Sequence, residues 1–454
     1  MKRELNEIEY LTYCMGQPYN IVTAVMLRGG LTPDRLQSAL DKAQQRHPLL
    51  RVNTILDSRG IPWFTSEDVG RIPLTVLKRE DDDHALRITE KELNSQFAMD
   101  KPQKSRTPLM RVTLLHPKDT STEPSDVILS AQHTIADGMS MVFLTRDLLQ
   151  FMTNPKQPVN PLDVTASTQD IFSPEVRSRI PKSFAEVMAS LRLMVPPAIR
   201  DHLPASETEL MAFLKRMTPA PEVEPGGAAA RKPEIGSPSS KIHTWGLTAG
   251  ETQAFIARCK HEQVTVQSAL CTAFLTIFTA VNTPVNLRPQ LALPVGEAFG
   301  AFASGAVIRM TYDPKQGFWN NARQFHDKLQ QELRDPFAVY TRFSKDVPVQ
   351  TMQAFIQSLT ALVSDQRPFA ITNLGSLDKI GLLLQIGDLR VDSFFGVISP
   401  GILTNAIAVI VYTINGIMHF HLHYMEPATT TAEVKKFTSN AMTLLKSAIK
   451  NPIH

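Results

Sequence analysis

Asp126-Val127-Ile128-Leu129-Ser130-Ala131-Gln132-His133-Thr134-Ile135-Ala136-Asp137-Gly138-Met139-Ser140 passes from one backbone pattern into another. Val127, Ile128 and Leu129 are apolar and β-prone, whereas Met141 to Leu149 carries its apolar residues at helical spacing. His133 therefore sits where a strand ends and a helix begins, the place at which an open sheet presents side chains to a cleft. A neutral imidazole there takes a proton near pH 7 with little tuning. Asp137, four positions on, can accept a backbone or arginine hydrogen bond and fix the turn, and Gly138 lets the chain approach a neighbour closely. A plainer reading of the same residues is a strand-to-helix turn with an aspartate near the helix N-cap and a glycine in the bend.

Working outward, a chain of 454 residues exceeds one ordinary core and suits two domains of about 200 residues. Its 43% hydrophobic and 20% charged content is that of a globular protein, and a net charge of +3 argues against a dedicated nucleic-acid surface. Cys14, Cys259 and Cys271 are too few and too scattered for a disulfide framework or a zinc site, so a reducing cytoplasm is the expected compartment. Glu4, Glu7 and Glu9 stand where a signal peptide needs an apolar run, and no stretch reaches about 18 apolar residues. Neither secretion nor a membrane span is expected.

Residues 19–28 read as a largely buried strand closed by Gly29-Gly30. Thr32 then caps a helix with Pro33 at its first position and Leu36, Leu40 and Ala43 on one face. Pro48 forces the preceding His47 out of the helical region, so the helix ends there. His47 is a second candidate base, yet the helix dipole favours a histidine in a last turn, and a structural role is the expectation. Residues 51–56, 61–65, 72–77 and 109–115 read as strands and 82–97 as a helix, which makes residues 1–153 an α+β domain.

Prolines then recur, and residues 154–240 read as a crossover that ends in a Pro/Gly/Ala-rich linker at 219–240, with helical spacing at 184–194 and 207–217. The second domain, 241–454, opens with a strand at 242–245 and a Thr248/Glu251 capping box, echoing residues 19–47. Residues 266–281 read as an apolar helix. In Val285-Asn286-Leu287-Arg288-Pro289-Gln290-Leu291 the arginine lies in an apolar strand context and needs a buried carboxylate, for which Asp137 is the partner of choice. The alternative is an arginine at the strand's exposed end. The glycine-rich loop 296–305 has no lysine and no nucleotide-loop spacing, and reads as backbone approaching a substrate. Thr372 and Asn373 can offer donors to an oxyanion or simply satisfy backbone at a strand end. His419, His421 and His423 share one face of a strand, with no acidic or cysteine ligand beside them in sequence; a solvated or cleft-lining face is expected, and no metal. An amphipathic helix at 432–449 closes the chain.

The segment His133-x-x-x-Asp137-Gly138 resembles the signature of the chloramphenicol acetyltransferase-like superfamily. That group includes peptide-synthetase condensation domains, plant-type alcohol acyltransferases and the polyketide-associated acyltransferases that esterify phthiocerol lipids. Arg46-His47-x-x-Leu50-Arg51 resembles the segment that condensation-type enzymes carry after their first helix, and Val285-Asn286-Leu287-Arg288 the segment whose arginine pairs with the signature aspartate. Thr372-Asn373-Leu374-Gly375 is similar to a strand segment of the phthiocerol-type and alcohol acyltransferases, while loop 296–305 lacks the asparagine of the family's Phe-Gly-Asn-like turn. The plant-type Asp-Phe-Gly-Trp-Gly motif is absent, which favours the phthiocerol-type and stand-alone condensation branches.

The resemblance implies two similar α+β domains with a tunnel and active site at their interface. It implies that His133 is the general base, that Gly138 leaves room for the reacting centre, and that Asp137, held by Arg288, keeps the loop in shape. Neither a covalent acyl-enzyme nor a metal is required, and no cofactor is held tightly. The co-substrate would be an acyl thioester on coenzyme A or on a phosphopantetheine carrier protein, and the acceptor a small hydroxyl or amine compound of secondary metabolism. Length without a carrier or adenylation segment favours a free-standing ester-forming acyltransferase; a condensation-type enzyme making an amide and a non-catalytic binding protein of the same fold are the alternatives.

Overall fold

A computed structural model of the chain describes every residue except 101–105, 120–122, 163–170, 184, 188, 190–205, 207, 210–211, 213–237, 339, 343, 346, 354–355, 357–366, 383, 404 and 451–454. The N-terminal stretch supplies β1 (Lys2–Glu4), α1 (Glu7–Cys14), β2 (Asn20–Arg28), α2 (Pro33–Arg46), β3 (Asn53–Leu56), β4 (Pro62–Thr65), β5 (Leu74–Lys78), α3 (His84–Leu93), β6 (Met110–His116), β7 (Ser125–Gln132) and α4 (Gly138–Thr153). A short α5 (Pro174–Ser178) follows. The remainder supplies β8 (Ser239–Leu247), α6 (Ala249–His261), α7 (Val266–Phe274), β9 (Ala280–Asn286), β10 (Ala303–Arg309), α8 (Gly317–Glu332), β11 (Phe369–Ser376), β12 (Gln385–Ile386), β13 (Leu389–Ile398), β14 (Ile407–Ile414), β15 (Ile417–Glu426) and α9 (Thr431–Lys450).

Two six-stranded sheets organise these elements, ordered β12-β13-β2-β7-β6-β5 and β10-β9-β11-β14-β15-β8, beside a small sheet β1-β4-β3. β7 is buried at every residue because it lies inside the first sheet, antiparallel to both β2 and β6. Helices α2 and α4 press Leu36, Leu40, Leu144 and Leu148 onto the core that this sheet shares. In the second sheet, Phe274, Phe325, Phe369 and Phe420 anchor a separate core beneath α7, α8 and α9. The echo between residues 19–47 and the opening of the second half thus has a counterpart in two lobes, each a sheet with helices packed on it.

The lobes are not contiguous in sequence. β12 and β13 come from the C-terminal half but complete the first sheet, β13 running antiparallel to β2 from Arg390 against Arg28 to Ile398 against Ile21. Tyr412 of β14 donates its hydroxyl to the Phe394 carbonyl, and Gly396 N donates to His421 Nδ1 at 3.2 Å, so this returning strand also ties the two sheets together.

Several expectations need correction. The helix expected at 266–281 stops at Phe274: the Phe278 ring stacks on Phe369 of β11 with centroids 4.2 Å apart, and the chain turns there to begin β9 at Ala280. The strand expected around Arg288 ends at Asn286, and Arg288 opens a 3₁₀ turn at Arg288–Gln290, because Pro289 has no N–H for a ladder. The helix expected at 82–97 is confined to His84–Leu93, and Phe97 N instead donates to Gln17 Oε1 at 2.7 Å. The helices expected at 184–194 and 207–217 and residues 219–237 of the linker lie largely outside the described residues; residues 239 and 240 already belong to β8.

Candidate active site

β7 ends at Gln132, opposite Asn20 of β2, and His133 enters a 3₁₀ turn that leads to α4. His133 N donates to the Tyr19 carbonyl at 2.8 Å, and the imidazole stacks on the Tyr19 ring with centroids 4.7 Å apart and planes 19° from parallel. The side chain is half-buried. Its Nδ1 is shut away from solvent with no hydrogen-bond partner among the described residues, which leaves Nε2 as the open nitrogen. Burial pushes the imidazole below its ordinary pKa, opposed by its own backbone carbonyl, by the charge of Asp137 and by the Ala136 backbone. The net effect favours the neutral form of the ring.

Asp137 caps α4, accepting from Ser140 N at 2.7 Å. Its carboxylate also receives Arg288 Nη1 at 2.7 Å, Nη2 at 3.2 Å and Phe302 N at 3.0 Å. Burial alone would raise its pKa, but the Arg288 charge and these hydrogen bonds hold it below the usual carboxylate range. With both oxygens committed, Asp137 is a fixed anion rather than a proton carrier. Arg288 also donates to Ser140 Oγ at 2.9 Å and lies against the Phe302 ring, 4.7 Å from its centroid. Ser140 Oγ in turn accepts from Gly300 N at 3.0 Å and donates to Gly300 O at 2.7 Å. The glycine-rich loop 296–305 is thereby fastened to the histidine loop of the other lobe, using backbone that only a close approach makes available.

His47 is fully buried and its Nε2 lies 3.0 Å from Asp147 Oδ2 on α4. Asp147 also receives Arg46 Nε at 2.7 Å and Arg146 Nη2 at 2.9 Å, and Arg146 holds Glu297 through two bonds of 2.7 and 2.6 Å. Burial works against the Asp147 charge, but His47 and Arg146 win and hold its carboxyl down at about 2. This is a second latch between α2, α4 and loop 296–305, and it places His47 in the framework.

Thr372 and Asn373 have no hydrogen bond to the histidine loop among the described residues; Asn373 Oδ1 accepts from Gly375 N at 2.9 Å within the bulge of β11. What β11 brings to the site is Leu374, whose methyl would lie 3.0 Å from a Cβ placed on Gly138, so the space beside Gly138 is taken by that side chain. His419 and His421 line a cavity of about 260 Å³ between β13 and β15, and His423 Nε2 meets Ser240 Oγ at 2.9 Å. No group of three or more His, Cys, Asp or Glu among the described residues is arranged to hold a metal, and no described helix is long and apolar enough to cross a membrane. Tyr19, Ser140, Asp147 and Glu297 escaped the reading of the sequence; the i+3 spacing of Ser140 from its cap was the one available signal.

Comparison with known proteins finds likenesses in part of the sequence and in the fold. Residues 14–165 match the condensation domain family model. Over 142 residues the chain is 35% identical to a component of the linear gramicidin synthase of Brevibacillus parabrevis, a match that takes in 29% of this chain and only 2% of that protein. The trichothecene 15-O-acetyltransferase of Fusarium sporotrichioides superimposes with a TM-score of 0.63 at 14% identity, covering 99% of this chain and 95% of that one. Polyketide synthase associated protein 5 of Mycobacterium tuberculosis gives 0.59 at 15% identity, with 99% and 98% covered. The EpoB cyclization-docking bidomain of Sorangium cellulosum gives 0.63 at 16% identity, with 100% and 86% covered. The chain shares its two-lobed fold with these structures, an acetyltransferase and a peptide-synthetase cyclization domain among them.

Proposed function

We propose that the protein is an acyltransferase that moves an acyl group from a thioester, on coenzyme A or a carrier protein, to a hydroxyl acceptor, with His133 as general base. The observation that supports it most is the placing of His133 at the end of β7, stacked on Tyr19 with Nδ1 enclosed, beside an Asp137 that Arg288 holds fixed. In this reading Nε2 takes the proton of the acceptor hydroxyl as its oxygen attacks the thioester carbonyl; the C–S bond then breaks, and the leaving thiolate recovers the proton from the imidazolium. Ester and thiol are the products. Asp137, neutralised by Arg288, keeps the loop in register without exchanging protons.

The test is His133→Ala assayed by thioester consumption with the same acyl group offered on coenzyme A and on a carrier protein. Loss of transfer by about two to four orders of magnitude with the fold intact supports the base assignment, and near-normal turnover overturns it. A second reading, amide formation between carrier-bound groups, is favoured by the condensation domain match over residues 14–165. Paired hydroxyl and amine acceptors of equal size, presented at equal concentration, separate the two.

A further inference from the structure

Leu374 reaches the histidine loop from the other lobe through an irregularity in its strand. β11 runs in step with β14 as far as Asn373 opposite Val411 and resumes with Ser376 opposite Thr413, so β11 carries one residue more than its partner over this stretch. Such a bulge re-aims side chains away from the directions that regular alternation gives them. Asn373 Oδ1 accepts from Gly375 N at 2.9 Å, and Gly375 takes a φ of 77°, a left-handed value that glycine adopts without strain. The bulge is thus written into the sequence, and it delivers Leu374 to the core of the first lobe, against which the side chain packs.

What Leu374 borders is the open part of the loop. From residue 131 to residue 140 only His133, Gly138 and Met139 are not buried, and Leu374 is itself only partly buried. A Cβ built on Gly138 would meet Leu374 Cδ2 at 3.0 Å and Cδ1 at 3.9 Å. Its own helix and chain neighbours aside, it would meet no other atom of the described residues within 4 Å. One leucine end therefore fills the gap that the glycine opens, and trimming it leaves no other side chain in that gap. His133 and Gly138 are joined by a single 3₁₀ turn and the cap residue Asp137, whose charge the imidazole feels, so the gap and the ring lie at the same end of α4.

We propose that Leu374 sets how much bulk is admitted beside His133, and that the acceptor it selects is an alcohol unbranched at the carbon bearing the hydroxyl. The proposal rests on the acyltransferase reading and gives it a substrate preference. For proton transfer the acceptor oxygen comes within about 3 Å of Nε2. The carbon that carries this oxygen is one bond further away, and a branch on it needs room next to the loop. A leucine end leaves less of that room than an empty gap, and an apolar wall discriminates by about tenfold or more against one added carbon.

Two assays on the full chain test this, and they fail separately. With hexanoyl-coenzyme A as donor, the kcat/KM ratio of 1-phenylethanol to benzyl alcohol, which differ by one methyl on the carbinol carbon, is expected to rise about tenfold in Leu374→Ala. Leu374→Met keeps the volume of the side chain and should leave the ratio near its wild-type value. Alkylation of His133 needs no turnover: its rate, read by mass on the peptide that carries it, is compared for iodoacetamide and N-tert-butyliodoacetamide. The three cysteines are buried, which leaves the reagents to the open side chains. Leu374→Ala should raise the bulky-to-small rate ratio at His133 by about three- to tenfold, and Leu374→Met should not. An unchanged alkylation ratio in Leu374→Ala, an equal change in Leu374→Met, or no alkylation of His133 by either reagent in the wild type and Leu374→Ala would each overturn the role of Leu374. Turnover in which the acceptor ratio stays fixed while the acyl-chain preference moves would overturn the acceptor assignment and give the gap to the donor. A shifted alkylation ratio with no thioester consumed, on coenzyme A or on a carrier protein, supports the gap as the way to His133 and condemns the acyltransferase reading instead.

Discussion

The rings of Tyr19 and His133 lie stacked, 4.7 Å between centroids, while the backbone N–H of His133 donates to the Tyr19 carbonyl at 2.8 Å. Tyr19 leads into β2 and His133 follows β7, so the pairing of Asn20 with Gln132 carries one ring onto the other. The stack leaves the imidazole little freedom to turn, a constraint that proximity and orientation effects reward. Tyr19→Leu is expected to lower kcat by about tenfold with KM near its normal value, whereas Tyr19→Phe, which keeps the stack, should be nearly silent. Steady-state kinetics decide it: a raised KM at constant kcat would place Tyr19 in substrate binding instead.

The same enclosure sets a pH dependence. Burial lowers the His133 pKa below its ordinary value of about 6.5, so the neutral form, the one a general base needs, persists to lower pH than a solvated histidine allows. The acid limb of kcat/KM should therefore fall with an apparent pKa below about 6.5 and be flat above it. An acid limb centred at or above that value would contradict a buried His133 as the base.

Asp137 and Arg288 join the two lobes, and neither has much of its side chain in water, 4% and 7% respectively. Removing one partner strands the other charge in a place built to exclude solvent. Arg288→Met and Asp137→Asn should each lower unfolding stability by about 3–5 kcal/mol, read as a shift in urea midpoint at constant slope. A loss below about 1 kcal/mol would mean that water reaches the pair.

His47 belongs to the framework, bonded to Asp147 between Arg46 and Arg146. His47→Ala should cost about 1–3 kcal/mol of stability by leaving part of a buried carboxylate unsatisfied, while a sizeable fraction of turnover remains. Loss of turnover on the scale of His133→Ala would give His47 a chemical role.

What the sequence disclosed about the site follows from how local each signal was. The His133, Asp137 and Gly138 spacing is readable because a strand, a turn and a helix cap are written in consecutive residues. Arg288 was readable because a guanidinium in an apolar segment demands a carboxylate, although Pro289 moved it out of the strand and into a turn. Tyr19, by contrast, reaches His133 only through strand pairing, and the Gly300 and Phe302 amides that grip Ser140 and Asp137 are backbone, which carries no side-chain signature. The return of β13 to the first sheet was invisible for a related reason: its partner β2 lies far away in sequence, and apolar alternation does not name the strand it pairs with.

The alternation of His419, His421 and His423 showed a shared face but not what covers it. The ring of Phe395 stacks on His421 at 4.3 Å between centroids, and β8 brings Ser240 to His423, so two of the three imidazoles are buried. Burial drives both His421 and His423 down to about 3, His421 also feeling His419. Their unfolded value is about 6.5, so between these limits the unfolded chain binds protons that the native protein refuses. Stability should be complete above about pH 6.5 and decline as pH falls below it, by up to about 1.4 kcal/mol per pH unit for each histidine. His421→Gln removes one titrating group while its side-chain oxygen can still accept from Gly396 N. Urea unfolding at about pH 7, 6 and 5 should show a shallower decline for that variant than for the wild type, on the alkaline side of the range where carboxylates begin to protonate. Equal slopes for the two proteins would mean that His421 is protonated in the native state and that the face between β13 and β15 is open to water.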